Sequence, residues 1–180
     1  MDKNNCKTIF RGMVFDVEQM DVEIGLKGHH TFQVIRHPGG AGILPVHGDG
    51  TVSLIRQLRP AVAQVLLEIP AGRLSPGEPP LECARRELLE ETGLRTELII
   101  PLGLIQSSPG VFDEVIHLYA AMELSEGLAE LEADEDIEVV RLKYDEVLEM
   151  VADGRISDSK TVAAIFRWQL FQGDKEQSDA

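Results

Sequence analysis

The sequence predicts an α+β or mixed α/β sandwich rather than a Rossmann fold. Most of the chain consists of short β-rich runs separated by turn signals, and the predicted helices are few and do not alternate strictly with strands. With 180 residues, the chain is long enough for one domain with a sizeable core. The segment before about residue 40 contains strand patterns alone and is short enough to form a small separate β-unit.

Strand patterns also fill the rest of the first 70 residues. Turns are marked by Gly25, Gly28 and the sequences HPGG and HGDG. In TVSLIRQLR we expect Val52, Leu54 and Ile55 to be buried. The strands predicted in this region are KTIFRGMVFDVEQMDVEIG, TFQVIRH, AGILPV, TVSLIRQLR and VLLEIPAG, the last of which ends at Pro70.

A Gly- and Pro-rich loop, GRLSPGEPP, then leads into the first helix. Pro79 and Pro80 fit the first turn of a helix, where a missing N–H costs little. The helix is predicted to run to about Thr92, where Gly93 provides a left-handed C-terminal stop.

The remaining sequence adds strands and two further helices. The strands are LRTELIIPLGLIQ, EVIHLYAAM and IEVVRLKY, with the acidic loop LSEGLAELEADED before the last of them. DEVLEMVADG is a short helix that Gly154 stops, and SDSKTVAAIFRWQLFQ is a closing amphipathic helix capped by Ser157 or Asp158. We divide the chain into an N-terminal β-unit (1–39), a main domain (40–172) and a frayed tail (173–180).

The composition excludes several classes of protein. A net charge of -14 makes the chain a poor candidate for binding nucleic acid, which calls for basic patches. The surplus acid fits either solubility or the binding of divalent cations. The N-terminus has no apolar signal-peptide core and no run of 18 apolar residues occurs, so we expect no membrane contact and a cytoplasmic location.

The first helix carries an unusual group of carboxylates. At about 100° per residue, Leu81, Ala84 and Leu88 share one face, which can pack on a sheet. The glutamates Glu87, Glu90 and Glu91 share a neighbouring arc, where like charges repel. Water, arginines or a bound cation can relieve this repulsion, and one arginine, Arg86, is placed to orient one glutamate. Hard oxygen ligands suit Mg²⁺ or Mn²⁺, and a solvated acidic face is the alternative.

The stretch from Gly72 to Leu94 resembles the Nudix box, G-x5-E-x7-R-E-U-x-E-E-x-G-U, in which U is aliphatic. Every specified position matches, and these positions are Gly72, Glu78, Arg86, Glu87, Leu88, Glu90, Glu91, Gly93 and Leu94. The resemblance implies a Nudix hydrolase, a metal-dependent pyrophosphatase with an α/β/α sandwich around a mixed β-sheet. It implies that Glu87, Glu90, Glu91 and the backbone carbonyl of Ala71 bind the metal. It also implies that Gly72, Glu78 and Arg86 organise the loop and helix.

Segments outside the box resemble the ADP-ribose pyrophosphatase group of this family. These segments are EIPAG, RQLRPAV, SSPGVFDEVIHLY and GRISDSKTVAAI, although Leu58 and Val111 depart from the group's usual residues. The resemblance implies that ADP-ribose is hydrolysed to AMP and ribose 5-phosphate by a homodimer built partly from the N-terminal β-unit. The substrate-binding residues that it indicates are Arg56, Arg59, Glu68, Ser108, Pro109 and Gly110.

Alternatives remain open for the substrate and for the catalytic base. GDP-mannose or another nucleotide sugar is the alternative substrate. A non-catalytic ADP-ribose sensor would be expected to lose box glutamates, which this chain keeps, and a metal-buffering protein would show no turnover. The segment LEADEDIEVV resembles a loop that carries a proposed base in the related group, which indicates Glu135 as base, with Glu90 as the alternative.

Overall fold

The computed structural model describes residues 6–127 and 137–178, with side chains up to residue 173. The strands in this part of the chain are β1 (Cys6–Arg11), β2 (Asp16–Glu23), β3 (His29–Arg36), β4 (Gly40–Pro45), β5 (Thr51–Arg59), β6 (Gln64–Glu68), β7 (Ala71–Arg73), β8 (Leu94–Gln106), β9 (Val115–Glu126) and β10 (Ile137–Lys143). The helices are α1 (Pro80–Thr92), α2 (Tyr144–Ala152) and α3 (Ser159–Ser178), and a 3₁₀ turn spans Gly25–Lys27.

The strands form three sheets. An N-terminal antiparallel sheet has the order β1-β2-β3, a second sheet has the order β10-β5-β6, and a four-stranded sheet has the order β7-β4-β9-β8. The four-stranded sheet is mixed, because β4 and β9 are parallel, whereas the pairs β4–β7 and β8–β9 are antiparallel. The predicted sandwich with a mixed sheet and a small N-terminal β-unit is therefore the architecture observed.

Strand β4 is buried on both faces and separates two apolar layers. Ala41 and Ile43 lie with Ala84 and Leu88 of α1 in one cluster. Leu44, on the alternate face, lies in the larger cluster, which joins the second sheet to α2 and α3. The expected burial of Val52, Leu54 and Ile55 is confirmed, since all three are fully buried.

The ends of the helices follow the predicted signals. Pro79 is the N-cap of α1, and Gly93 ends this helix in a left-handed conformation with φ of 70°. Of the two candidate caps for α3, Asp158 is the one used, because its Oδ2 accepts hydrogen bonds of 3.0 Å from the N–H and 2.6 Å from the hydroxyl of Thr161.

Several boundaries differ from the prediction. The first predicted strand is two strands, because the chain reverses at Gly12, whose N–H donates to the Phe15 carbonyl. The first two residues of the predicted loop, Gly72 and Arg73, belong to the short strand β7, which starts at Ala71 and pairs with β4. Helix α3 continues to Ser178, beyond residue 172, through a lysine, a glutamate and a glutamine that favour helix. In the described residues, no helix is both long and apolar enough to cross a membrane.

Candidate active site

The packing of α1 on the mixed sheet directs two of its glutamates inward. Ala84 and Leu88 anchor the helix on β4. Glu87 and Glu91, one turn apart, consequently face β7 and are only 6% and 2% exposed. Burial of two carboxylates is costly unless they are paired, hydrogen-bonded or bound to a metal. A purely solvated acidic face is therefore excluded for these two residues.

Strand β7 fits closely against both carboxylates. The backbone N–H of Ala71 donates a hydrogen bond of 2.9 Å to Oε2 of Glu91. At Gly72, a Cβ atom would lie 1.8 Å from Oε1 of Glu87, which leaves no room for any side chain. The glycine that begins the box thus provides the space that the Glu87 carboxylate occupies.

Arg86 binds more carboxylates than the sequence indicated. Its Nε lies 2.9 Å from Glu78, and its NH1 group lies 2.6 Å from Glu87 and 2.8 Å from Glu90. We expected one arginine to orient one glutamate, but the guanidinium has five N–H donors in a fork and reaches three. The hydrogen bonds from Arg86 and from the Ser75 N–H lower the pKa of Glu78 to about 2. These contacts also raise the pKa of Arg86, so this cation is permanent.

Two adjoining cavities form a cleft beside these residues. The first, which we call the acidic end, is lined by Glu87, Glu90, Glu91 and Arg86. The second, which we call the far end, has a volume of about 430 Å³ and is lined by Glu68, Lys160 and apolar residues of the β5–β6 turn. The two ends share lining residues, namely His37, Arg59, Ala71, Gly72 and Arg73.

Arg59 stands where the two ends meet. Its Nε and NH2 groups donate hydrogen bonds of 2.8 and 2.6 Å to the two oxygens of Glu68, and Lys160 contacts the same carboxylate. Burial alone would raise the pKa of Glu68, but these two cations outweigh it and lower the pKa. The Glu68 contact in turn raises the pKa of Arg59. Both side chains are therefore ionised.

The remaining predicted residues lie at different distances from the cleft. Arg56 lies on the other face of β5 from Arg59, is exposed and sits 3.8 Å from Glu138 on the neighbouring strand. Ser108, Pro109 and Gly110 form an exposed turn, closed by a hydrogen bond of 2.9 Å from the Phe112 N–H to the Ser108 carbonyl. Glu135 lies outside the described residues.

Other cleft residues were not identified from the sequence. Lys160 and His37 line the far end, as do Ser107 and Glu114. The N–H of Gly39 donates to Nδ1 of His37, whose pKa is lowered by burial. Two lining polar atoms, Oγ of Ser107 and Oε1 of Gln57, are buried without a hydrogen-bond partner among residues 6–127 and 137–173. No short motif marks these residues; the one available signal was the GRISDSKTVAAI segment, which contains Lys160.

The oxygen donors at the acidic end fit a hard divalent cation. Mg²⁺ generally takes one or two protein carboxylates and keeps several waters. Within the part of the chain that the structure describes, no three His, Cys, Asp or Glu side chains converge closely enough to hold an ion by themselves. The donor set therefore suits a cation bound by one or two glutamates, with water and substrate oxygens as its other ligands.

Comparison with known families identifies the class of protein. Residues 36–165 match the family model described as the NUDIX domain. This range contains the mixed sheet, helix α1 and the cleft described above. The fold and the site define a Nudix hydrolase. The chain belongs to the NUDIX domain family.

Individual relatives cover most of the chain. A methanol dehydrogenase activator of Bacillus methanolicus is 37% identical over 94% of this chain and 92% of its own length. An ADP-ribose pyrophosphatase of Bacillus subtilis (strain 168) is 36% identical over 90% and 89%. A GDP-mannose pyrophosphatase of Yersinia enterocolitica is 39% identical over 71% of each chain. The solved structure of an ADP compounds hydrolase superposes with a TM-score of 0.83 at 23% identity, covering 96% and 94%, which shows the shared fold.

Proposed function

We propose that this protein hydrolyses the pyrophosphate bond of ADP-ribose or a related ADP-sugar, giving AMP and a sugar phosphate. The observation that carries this proposal is the cleft itself, in which three box glutamates and Arg59 line one continuous surface. The ADP-ribose pyrophosphatase from Bacillus subtilis supports the choice of substrate. The name of the dehydrogenase activator states no substrate, so it does not bear on this choice.

The acidic end would hold the metal. We assign Glu87, Glu90, Glu91 and the carbonyl of Ala71 as its ligands, and Mg²⁺ or Mn²⁺ as the ion. When bound, such an ion neutralises phosphate charge and lowers the pKa of water. Gly72 leaves space for the Glu87 carboxylate, and Arg86 with Glu78 fixes the direction in which Glu87 and Glu90 point.

The rest of the cleft would bind the substrate. Arg59 is placed to contact a phosphate oxygen, because a guanidinium matches phosphate geometry and this one is oriented by Glu68 on its other side. The turn Ser108–Pro109–Gly110 follows Ser107, which lines the far end, and would contact the substrate from that side. Arg56 would reach substrate only if another subunit brought the ligand to its face of β5.

The proton of the attacking water would pass to a carboxylate. We propose Glu135 as the base, because its segment LEADEDIEVV resembles a loop that carries a proposed base in the ADP-ribose pyrophosphatase group. Glu90 is the alternative, since it lines the acidic end and its side chain is 27% exposed. The pKa of a base in this position must allow it to be ionised near neutral pH.

We further propose a homodimer in which the N-terminal β-unit forms part of the contact, in a cytoplasmic enzyme. Large apolar side chains of this unit are exposed, with Phe10 at 54%, Val14 at 48% and Phe15 at 40%. Val14 also lines the acidic end, which would link assembly to the site. Light scattering at micromolar concentration should give twice the monomer mass of 19.9 kDa, and an active monomer would contradict the proposal.

A panel of nucleotide sugars assayed with Mg²⁺ tests the substrate. ADP-ribose and other ADP-sugars should give the highest kcat/KM, with AMP as one product. A higher kcat/KM for GDP-mannose would favour the alternative, for which the Yersinia enterocolitica relative is the support. Absence of turnover with every member of the panel would contradict both proposals.

A further inference from the structure

Glu68 is a buried carboxylate that two cations share. Its side chain is 1% exposed, and both of its oxygens accept hydrogen bonds from Arg59. The ammonium group of Lys160 contacts Oε2 as well. The charge of Glu68 is therefore shared between two cations and does not compensate Arg59 alone.

Lys160 is held at this position by the start of α3. It lies in the first turn of the helix, and its ammonium is 3.1 Å from the capping carboxylate of Asp158. The next residue, Thr161, accepts a hydrogen bond of 2.8 Å from the N–H of Ile69, which follows Glu68 in the chain. The start of α3 is thus fixed to the strand that precedes the Nudix box.

The Lys160 contact changes what Arg59 can do. Without Lys160, Glu68 would be neutralised by Arg59 alone, and Asp158 would lose its partner in this group. The Glu68 carboxylate would then act on Arg59 undivided, which weakens the attraction of the Arg59 guanidinium for a phosphate.

We propose that Lys160 is a positioning residue for the reaction: it shares Glu68 with Arg59, and thereby holds the Arg59 guanidinium in place and leaves its charge available to the pyrophosphate group. This inference rests on the proposed function and adds to it a residue that does not itself contact the substrate. The structure supports an indirect role, because the Lys160 ammonium is already engaged by Glu68 and Asp158 and the residue is only 8% exposed.

The test compares Lys160→Met, which removes the charge, with Lys160→Arg, which keeps it. Arg155→Gln is the matched control, since Arg155 is an exposed cation just before α3 whose partner is Asp153. The affinity for ADP-ribose is measured by calorimetry in EDTA, where hydrolysis is blocked, and kcat and KM are measured with Mg²⁺. Lys160→Met should weaken ADP-ribose binding and raise KM by about tenfold, with kcat changed less than about threefold. Lys160→Arg should recover most of the loss, and Arg155→Gln should match the wild type.

A double variant distinguishes action through Glu68 from direct contact with the ligand. In a Glu68→Gln background, Lys160→Met should change the affinity by less than about twofold, because the carboxylate that links the two cations is gone. An equal effect in both backgrounds would overturn the inference. So would a lowered melting temperature with unchanged affinity at 25 °C, which would mean a purely structural role. If Lys160→Met does not fold, Lys160→Gln, which keeps a donor for Glu68 without the charge, replaces it.

The controls separate this inference from the proposed function. If the wild type hydrolyses ADP-ribose and the Lys160 variants bind it normally, the inference alone is wrong. If the wild type hydrolyses no nucleotide sugar, the proposed function is wrong. The calorimetric comparison with ADP-ribose still decides the role of Lys160. Equal affinity in wild type and variant, or no binding by the wild type, overturns the inference about Lys160.

Discussion

Oε2 of Glu91 accepts a hydrogen bond of 2.9 Å from the backbone N–H of Ala71, so the last buried carboxylate of α1 is tied to the strand that begins the Nudix box. An uncharged amide oxygen at position 91 would accept the same hydrogen bond from Ala71. The backbone contact therefore does not require the negative charge of Glu91, whereas binding of a metal cation does.

Glu87→Gln and Glu91→Gln should each lower Mg²⁺-dependent kcat on the order of 10²-fold or more. Both variants should keep the melting temperature within a few degrees of wild type, because glutamine retains an acceptor oxygen and removing one charge relieves repulsion among the box glutamates. Steady-state kinetics and thermal melts check this. Near wild-type activity in both variants at saturating substrate would rule out the proposed metal ligands.

Gly72→Ala should damage activity more than stability. The added Cβ would lie 1.8 Å from Oε1 of Glu87, so that carboxylate must move, and it is the end of a side chain rather than backbone. We expect Gly72→Ala to lose turnover and Mg²⁺ affinity on the order of Glu87→Gln. The loop control is Gly77→Ala, where no atom lies within 4 Å of the added Cβ, and it should lose less of both. Because Gly77 has φ of 79°, its variant tests backbone strain without the carboxylate clash. Equal activity in the two variants would contradict the steric explanation.

Glu78 should make stability depend on pH in the acid range. The Arg86 contact and the Ser75 N–H hold its folded pKa at about 2, below the ordinary value of 4.5. A carboxyl whose pKa is lower in the folded state stabilises the fold fully above its unfolded pKa and loses this contribution as the pH falls through the folded pKa. The difference in melting temperature between wild type and Glu78→Gln should therefore be constant above about pH 5 and shrink toward pH 2. A difference that does not change with pH would mean that Glu78 acts without its charge.

The sequence predicts the arrangement of the glutamates on α1 better than it predicts the cleft around them. The box glutamates Glu87, Glu90 and Glu91 follow one another at fixed spacings, so their positions on one helix could be derived, as could the packing face of Ala84 and Leu88. Lys160 could not, because it meets Glu68 across a sequence separation of 92 residues, and only the tertiary packing of α3 brings them together. Strand β7 was missed for the same reason: it exists because β4 offers it a partner. Helix geometry shows that Glu90 lies one turn from Arg86 on α1, but it does not show the contact with Glu78, which comes from the loop.

Glu135→Gln should lower kcat with little change in KM if this residue is the base, whereas Asp134→Asn and Asp136→Asn should stay close to wild type. These matched changes remove one charge each from the same acidic segment, so a general electrostatic effect would be equal in all three. Kinetics over a range of pH should also show the loss of one ionisation in Glu135→Gln. Similar behaviour of the three variants, together with a severe effect of Glu90→Gln, would assign the base to α1 instead.

The most direct measurement of the central claim is the turnover of ADP-ribose with and without EDTA, followed by product analysis. With Mg²⁺, one water should be consumed for each AMP and ribose 5-phosphate released in equal amounts. EDTA should abolish this turnover, and excess Mg²⁺ should restore it, because the proposed reaction needs a divalent cation to neutralise the phosphate charge and to lower the pKa of the attacking water. Turnover that EDTA leaves unchanged, or the absence of AMP among the products, would contradict the account.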